Sequence, residues 1–456
     1  MNALIISAVF GVIMMFSGIL LKNKGSIRAV AIAGVLLLLA ANIAEMCSGP
    51  LFHIPVEGML RFERFSLFFN NIVFVCTLVY FLLTARDMEK VGADYAEYFA
   101  LIFFILAGTV MVASFTSLLI LFLGIEIISI PLYILTGSDK KNLRSNEASL
   151  KYFLMGAFST GLMLMGIALI YGSTGTFNTT LMSIGTKTPD LPAVAGMLLL
   201  LFSMSFKVSA APFHFWTPDV YDGAPTVFTS IMATIVKVSV FIGFIRLFQD
   251  AFGHLHNTWQ LWVAVVAALT LLIGNITAVF QQSVKRMLAY SSISQAGFML
   301  LALFAMNSNA KEGILLYSLA YSLASIAIFA VLVRMADYSF EGFNGLARQQ
   351  PLVAAVTTIC ILSLAGIPLT AGFISKFYML SAVMLTGKYL WLVIFAVVMA
   401  AVSAYYYFRV IQAMYFKDGN ATIEAGTGFK VLLVVVAVLI ILVGTFPSSI
   451  LYWLYF

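Results

Sequence analysis

The stretch whose reading decides the fold is FSMSFKVSAAPFHFWTPDVYDGAPTVFTSIMATIVK, from Phe202 to Lys237. It sets two lysines, Lys207 and Lys237, inside segments that otherwise read as membrane-spanning helices. An ionisable side chain near the bilayer centre costs about 3 kcal/mol on insertion scales, so it persists mainly where it faces a wet or protein-lined interior. Each lysine is therefore a functional candidate. Between them come Pro212, His214, Pro218, Asp219, Asp222, Gly223 and Pro225, which end or break the first helix near membrane depth. A broken helix is tolerated there only where protein or a water-filled cavity receives the freed backbone groups. The stretch reads as the middle of an ion path.

Composition agrees. Of 456 residues, 62% are hydrophobic and only 10% charged, with a mean hydropathy of +1.04, which no soluble chain of this length could hide from water. The expected class is an all-α polytopic membrane protein. Cys47, Cys76 and Cys360 lie far apart without a CxxC, which argues against a cysteine-ligated cluster or zinc and suggests small buried hydrophobes. Neither GxxxxGK nor a dinucleotide fingerprint occurs, so hydride or electron chemistry is expected on another chain and no metal or cofactor site on this one. No nucleic-acid partner is expected. The start, MNALIISAVFGVIMMFSGILLKNK, lacks a basic region before its apolar run and suits a retained first span.

Apolar runs of membrane-crossing length predict about fourteen spans, near 3–21, 28–47, 65–85, 97–115, 117–136, 149–171, 193–211, 225–248, 259–280, 286–305, 311–334, 352–381, 388–414 and 430–453. The odd-numbered connections hold fourteen lysines and arginines, against six, Lys187 among them, on the side of the termini. By the positive-inside tendency both termini are expected outside. Lys151 and Arg409 sit near span ends, where snorkelling accounts for them. Lys207, Lys237 and Lys376 remain at depth. The one acidic residue in the middle of a span is Glu126, in LLILFLGIEIISIPLYIL, where a partner lysine would stabilise its ionised form.

SAAPFHFW around Pro212 is echoed five spans later by LAGIPLTAGF around Pro368. Interrupted helices at corresponding places in successive five-helix units point to two inverted repeats, with helices 7 and 12 broken. The expected division is a three-helix segment over 1–96, repeats over 97–248 and 259–415, and a last helix over 430–456.

Thr226, Ser230, Thr234 and Lys237 follow one another at spacings that fall on one helical face. Such hydroxyls either line a chain of ordered waters or bond between helices. Ser203 precedes Lys207 by four residues, and Ser291, Ser294 and Gln295 share a face of span ten with the same two readings. His214 is a relay candidate or a hydrogen-bonding strut. Buried lysines suit proton exchange, since desolvation favours the neutral amine and a nearby carboxylate the charged one. The competing reading of Lys207 or Lys237 is a static ion-pair strut.

The strings LFLGIEIISIPLYIL, FKVSAAPFHFWTPDVYDGAPT, SVKRMLAYSSISQAGF and LAGIPLTAGFISKFY resemble the antiporter-like membrane subunits of respiratory complex I, over nearly the whole chain. The resemblance implies proton translocation driven by NADH and quinone chemistry elsewhere in a complex. Glu126 then matches the family's helix-five glutamate, Lys207 its helix-seven partner, Lys237 the central helix-eight lysine and Lys376 the helix-twelve lysine. Some members carry glutamate at that last position, and others continue into a long lateral helix where this chain stops at Phe456. Gln295 departs from the histidine common in the YSSISH string, so a titrating relay is not expected there. The implied setting is the bacterial inner membrane. The implied partners are other membrane and peripheral subunits, which carry flavin, iron–sulfur clusters and the quinone site. The alternative is a subunit of a multisubunit cation/proton antiporter driven by ion gradients. A purely structural spacer is disfavoured by four ionisable groups at depth.

Overall fold

The computed structural model describes residues 1–455 apart from 53, 57, 93 and 183–189, so Lys187 of the charge tally lies outside the described residues. The helices are α1 Asn2–Leu20, α2 Lys24–Ser48, α3 Arg64–Thr84, α4 Tyr95–Ser114, α5 Leu118–Thr136, α6 Leu143–Thr174 and α7 Leu191–Lys207. Next come α8 Trp216–Gly223, α9 Thr226–Ile231, a π-helical turn Met232–Val236, α10 Lys237–Asp250, α11 His256–Val279, α12 Val284–Ala305 and α13 Ser308–Leu332. The chain closes with α14 Leu346–Gln349, α15 Pro351–Ala365, α16 Ala371–Met384, α17 Leu390–Phe416, α18 Thr427–Thr445 and α19 Pro447–Tyr455.

Among the described residues twelve helical segments are long and apolar enough to cross a membrane. The predicted span seven is the shorter α7, and span twelve is the pair α15 and α16. The last span is also not continuous, because Pro447 lacks the N–H that would extend α18 and opens α19 instead. Side chains set several starts: Asn23, Asn142, Asp190 and Asn307 each accept a backbone N–H from the first turn that follows.

A helix that is apolar all round belongs in the interior. Thr226 to Phe248 is wholly buried and α12 and α13 nearly so, whereas α1 and α18 turn apolar faces such as Ile19, Leu20, Val431 and Val435 outward, as a lipid-facing helix does. Cys76 and Cys360 are buried but Cys47 is exposed, so the small-hydrophobe reading fails for Cys47, which lies on the outward side of α2.

The two five-helix units pack alike. In the first, α4 lies against α5, α6 against α7, and α4 against α10; in the second, α11 lies against α12, α13 against α15 and α16, and α11 against α17. The leading pair in each unit approaches closely through glycine: a Cβ on Gly108 would stand 2.8 Å from the Gly124 carbonyl oxygen, and one on Gly274 2.6 Å from the Ser294 nitrogen. Small residues permit such approach in membranes. Both fourth helices are interrupted, after Lys207 and after Ala365.

Candidate functional site

The first break is received by protein. Beyond Lys207 the Ala210 N–H donates to the Ser205 carbonyl at 2.8 Å, and the Ala211 N–H to Thr270 Oγ1 on α11 at 2.9 Å. Trp216 Nε1 donates to the Phe206 carbonyl at 3.2 Å. These bonds hold the end of α7 at depth without a continuing helix and fix where Lys207 stands.

Lys207 Nζ lies 3.8 Å from Glu126 Oε1, with both side chains largely withdrawn from the surface. That separation is long for a charge-assisted hydrogen bond. Two hydroxyls fill the space instead: Lys207 Nζ donates to Thr160 Oγ1 at 3.2 Å and to Ser129 Oγ at 3.3 Å, and Thr160 Oγ1 donates to Glu126 Oε1 at 2.8 Å. The pair is thus bridged across α5, α6 and α7. A bridged pair separates more readily than a direct bidentate one.

Lys237 is fully enclosed. Its Nζ donates to Ser292 Oγ at 2.8 Å and to the Ser292 carbonyl at 3.0 Å, and lies 5.7 Å from the Tyr221 ring centroid. The π turn immediately before it carries i→i+5 bonds and more residues per turn, so Lys237 does not keep the register with Thr226 and Ser230 that an unbroken α-helix would give. The expected single stripe is therefore interrupted. Thr234 bonds back to the Ser230 carbonyl at 2.5 Å, Thr226 donates to the Tyr338 hydroxyl at 3.2 Å, and the buried Ser230 hydroxyl has no partner among the described residues.

At the second break Lys376 Nζ donates to the Leu364 and Ala365 carbonyls, at 2.7 and 3.1 Å, and stands 4.6 Å from the Phe298 ring centroid. These carbonyls are free because α15 ends at Gly366, at φ 85°. Gln295 Nε2 donates to the same Leu364 carbonyl at 3.0 Å and to the Tyr407 hydroxyl at 3.0 Å. Tyr407 bonds in turn to Ser291, and Tyr317 donates to Gln295 Oε1. A cavity of about 10 Å³, lined by Gln295, Tyr317, Ser363 and Lys376 among others, adjoins this cluster and is just large enough for one water. Two polar groupings thus adjoin on α12: Lys237 with Ser292, and, from the next residue Ser291, the series Tyr407, Gln295, the Leu364 carbonyl and Lys376.

The remaining candidates fall elsewhere. Ser203 bonds to Ser159 across α6 and α7, the structural use of a hydroxyl. His214 is half-buried in the turn before α8, its Nδ1 without a partner among the described residues. Ser294 is buried on α12 beside Tyr406. Lys151 does more than snorkel, pairing with Glu147 at 2.8 Å and Asp219 at 3.1 Å, while Arg409 donates to the Val279 carbonyl at 2.7 Å and closes the end of α11.

Sequence reasoning missed Thr160, Ser129, Ser292, Tyr317 and Tyr407. The run Tyr405–Tyr406–Tyr407 inside an apolar span was a usable signal. For Thr160, Ser129 and Ser292 there was none, since single hydroxyls are ordinary in membrane helices.

Residues 116–403 match the family described as NADH:quinone oxidoreductase/Mrp antiporter, TM. A NADH-quinone oxidoreductase subunit N of Cytophaga hutchinsonii is 39% identical over 99% of both chains. A chain in the structure of respiratory complex I from Thermus thermophilus with bound aureothin superposes with a TM-score of 0.85 at 31% identity, covering 99% of this chain and 98% of that one. A chain of the Mrp complex from Dietzia sp. DQ12-45-1b shares the fold, with a TM-score of 0.86 at 19% identity over 99% of this chain and 96% of that one.

Proposed function

The chain belongs to the NADH:quinone oxidoreductase/Mrp antiporter family, with its full-length relatives among the subunits N, and from that premise we propose how its interior groups move protons. It is a proton-translocating membrane subunit of NADH-quinone oxidoreductase. The observation that carries the mechanism is the hydroxyl-bridged Glu126–Lys207 pair at the break of α7.

Redox chemistry in partner subunits, which hold the flavin, the iron–sulfur clusters and the quinone site, alters the field at this pair. Displacing Glu126 removes the negative charge that balances the Lys207 ammonium, and the desolvated ammonium then releases its proton. The proton passes to Lys237 along buried hydroxyls, among them Ser205, Thr217 and Ser230, which lack partners among the described residues and so call for water. From Lys237 it follows Ser292, Ser291 and Tyr407, and crosses to Lys376 by water in the small cavity that Gln295 and Lys376 line. Gln295 both donates and accepts, so it orders water in the small cavity it lines with Lys376 and does not itself titrate. When Glu126 returns, Lys207 is reloaded. The setting is the bacterial inner membrane, with the lysine-rich connections on the cytoplasmic side and both termini outside.

The test is proton pumping by the intact complex in sealed vesicles. Lys207→Ala should depress pumping while the complex still assembles, and pumping at the parent rate would overturn the mechanism. Mass spectrometry of the detergent-solubilised complex, with a flavin and iron assay, should find cluster-bearing partners.

A further inference from the structure

A cavity of about 1190 Å³ lies away from the polar path, on the face where the basic connections gather. Its rim carries Lys24 and Arg28 at the start of α2, Arg86 and Lys90 just after α3, and Arg334 after α13, with Asp87, Glu89 and Glu424 as the acidic groups. Five cations stand against three carboxylates. The carboxylates are shared: Glu89 faces Lys24 at 3.9 Å and Arg28 at 3.5 Å, while Asp87 serves Arg334 at 3.0 Å and Lys90 at 3.3 Å. Glu424 reaches only Lys90, at 3.6 Å, and Arg86 is exposed with no ion pair among the described residues. The rim therefore keeps unbalanced positive charge.

The N-terminus of α18 opens onto the same space. The segment Glu424–Ala425–Gly426–Thr427–Gly428 lines the cavity, no side chain caps the first turn of the helix, and a Cβ on Gly426 or Gly428 would meet nothing within 4 Å. Such a turn presents unpaired N–H groups and the positive end of the helix dipole, which adds to the cationic rim.

Below the rim the cavity is hydrocarbon. Its lining there is Ile32 of α2, Phe81 and Leu82 of α3, and Val431 and Leu432 of α18, and the outward apolar faces of α2 and α18 continue away from the basic face through Leu36 and Val435. Cationic groups at one end and an open apolar trough beneath them match, in order and in sign, a molecule with an anionic head and acyl chains. At this volume the cavity exceeds the usual enclosed site for a small metabolite.

We propose that the groove between α2, α3 and the N-terminus of α18 is a binding site for an anionic phospholipid, its phosphate held by Lys24, Arg28, Arg86 and the first turn of α18. This inference is independent of the proton path, since none of its residues belongs to that path.

The test uses the full chain in its native assembly, reconstituted in vesicles of phosphatidylcholine with a minor fraction of phosphatidylglycerol carrying a photoreactive acyl chain. Labelling should map to segments 32–36, 82–86 and 431–435. Unlabelled phosphatidylglycerol should compete, and phosphatidylcholine or inorganic phosphate should not. Lys24 and Arg86 are exposed, so Lys24→Gln with Arg86→Gln should leave assembly intact and cut labelling about fivefold for each cation removed. Lys311→Gln, on the opposite set of connections, should leave labelling unchanged. Equal competition by phosphatidylcholine, labelling indifferent to Lys24→Gln and Arg86→Gln, or inorganic phosphate alone displacing the probe would each overturn the proposal. So would protection of these segments by a partner subunit seated in the groove.

Discussion

Lys376 and Gln295 share one acceptor, the Leu364 carbonyl, at 2.7 and 3.0 Å. A lysine on one half of a broken helix and an amide on a neighbouring helix are thus tied to the end of the other half. The carbonyl is available only because α15 stops at Gly366. The interruption supplies the polar group that Gln295 shares with Lys376, the last lysine of the proposed path.

Replacing Gln295 should disconnect this end of the path. Gln295→Leu leaves the Tyr317 hydroxyl without its partner, takes one partner from Tyr407, which keeps Ser291, and removes the link to Leu364. Leaving buried polar groups unsatisfied costs about 1–3 kcal/mol, so pumping should fall roughly tenfold or more. Gln295→His restores a side chain that donates and accepts, and should recover most of the loss. Proton uptake measured in sealed vesicles decides it; a leucine variant that pumps normally would remove Gln295 from the path.

Thr160 is predicted to set how readily the Glu126–Lys207 pair opens. Thr160→Val keeps the volume and removes the hydroxyl that bonds both partners. Hydrogen bonds to charged groups contribute about 1.5–3 kcal/mol, so the variant should lose around tenfold in coupled pumping, and Thr160→Ser should retain it. Equal pumping by the valine and serine variants would show the bridge to be idle.

Gly372→Ala tests the second break by sterics alone. A Cβ at Gly372 would stand 1.8 Å from the Ser363 carbonyl oxygen, a backbone atom that cannot swing aside. Overpacking of this kind costs about 1–3 kcal/mol or more, and it should separate α15 from α16 and draw Lys376 off its two carbonyls. A lower melting temperature together with weakened pumping is expected. A stable, fully active variant would contradict the packing described for this break.

Asp219 supplies a pH-dependent clasp outside the membrane-spanning helices. It bonds Lys151 at 3.1 Å and Arg286 at 3.0 Å, joining α8 to α6 and α12, with Asp222 and Glu147 as its neighbouring carboxylates. Burial opposes its charge, but the bonds from Lys151 and Arg286 outweigh it and hold the carboxyl below its ordinary 3.8. Its contribution is therefore present above about pH 4 and is lost as pH falls through the lowered value. Thermal melts should show Asp219→Asn less stable than the parent at neutral pH by a modest amount, because the site is partly exposed and screened, with the gap closing below pH 4. A gap that persists in acid would mean that the side chain acts by packing.

The fold and the lysines were legible because a charge in an apolar run stands out against its neighbours: Glu126, Lys207, Lys237 and Lys376 are each conspicuous in the bare sequence. Pro212 and Pro368 marked the two interruptions for an equally local reason, the missing N–H of proline. The π turn before Lys237 was not legible, since a widened turn is chosen by packing around a wholly buried segment rather than by any one residue type. Nor was the division of labour among hydroxyls. Ser203 and Thr160 look alike in the sequence, yet one ties α6 to α7 and the other bridges a charged pair.

What the sequence by itself determined is the set of groups that cannot be left in lipid, because the penalty for burying a charge or a broken backbone belongs to the residue and its immediate neighbours. Which partner satisfies each group was decided by the tertiary structure. Helices α5, α6 and α7 had to meet before Thr160 could stand between Glu126 and Lys207, and α12, α15 and α17 before Gln295 could join Tyr407 to Leu364. A hydrogen bond acts over about 3 Å, and only the packing of helices distant in sequence brings its two ends that close.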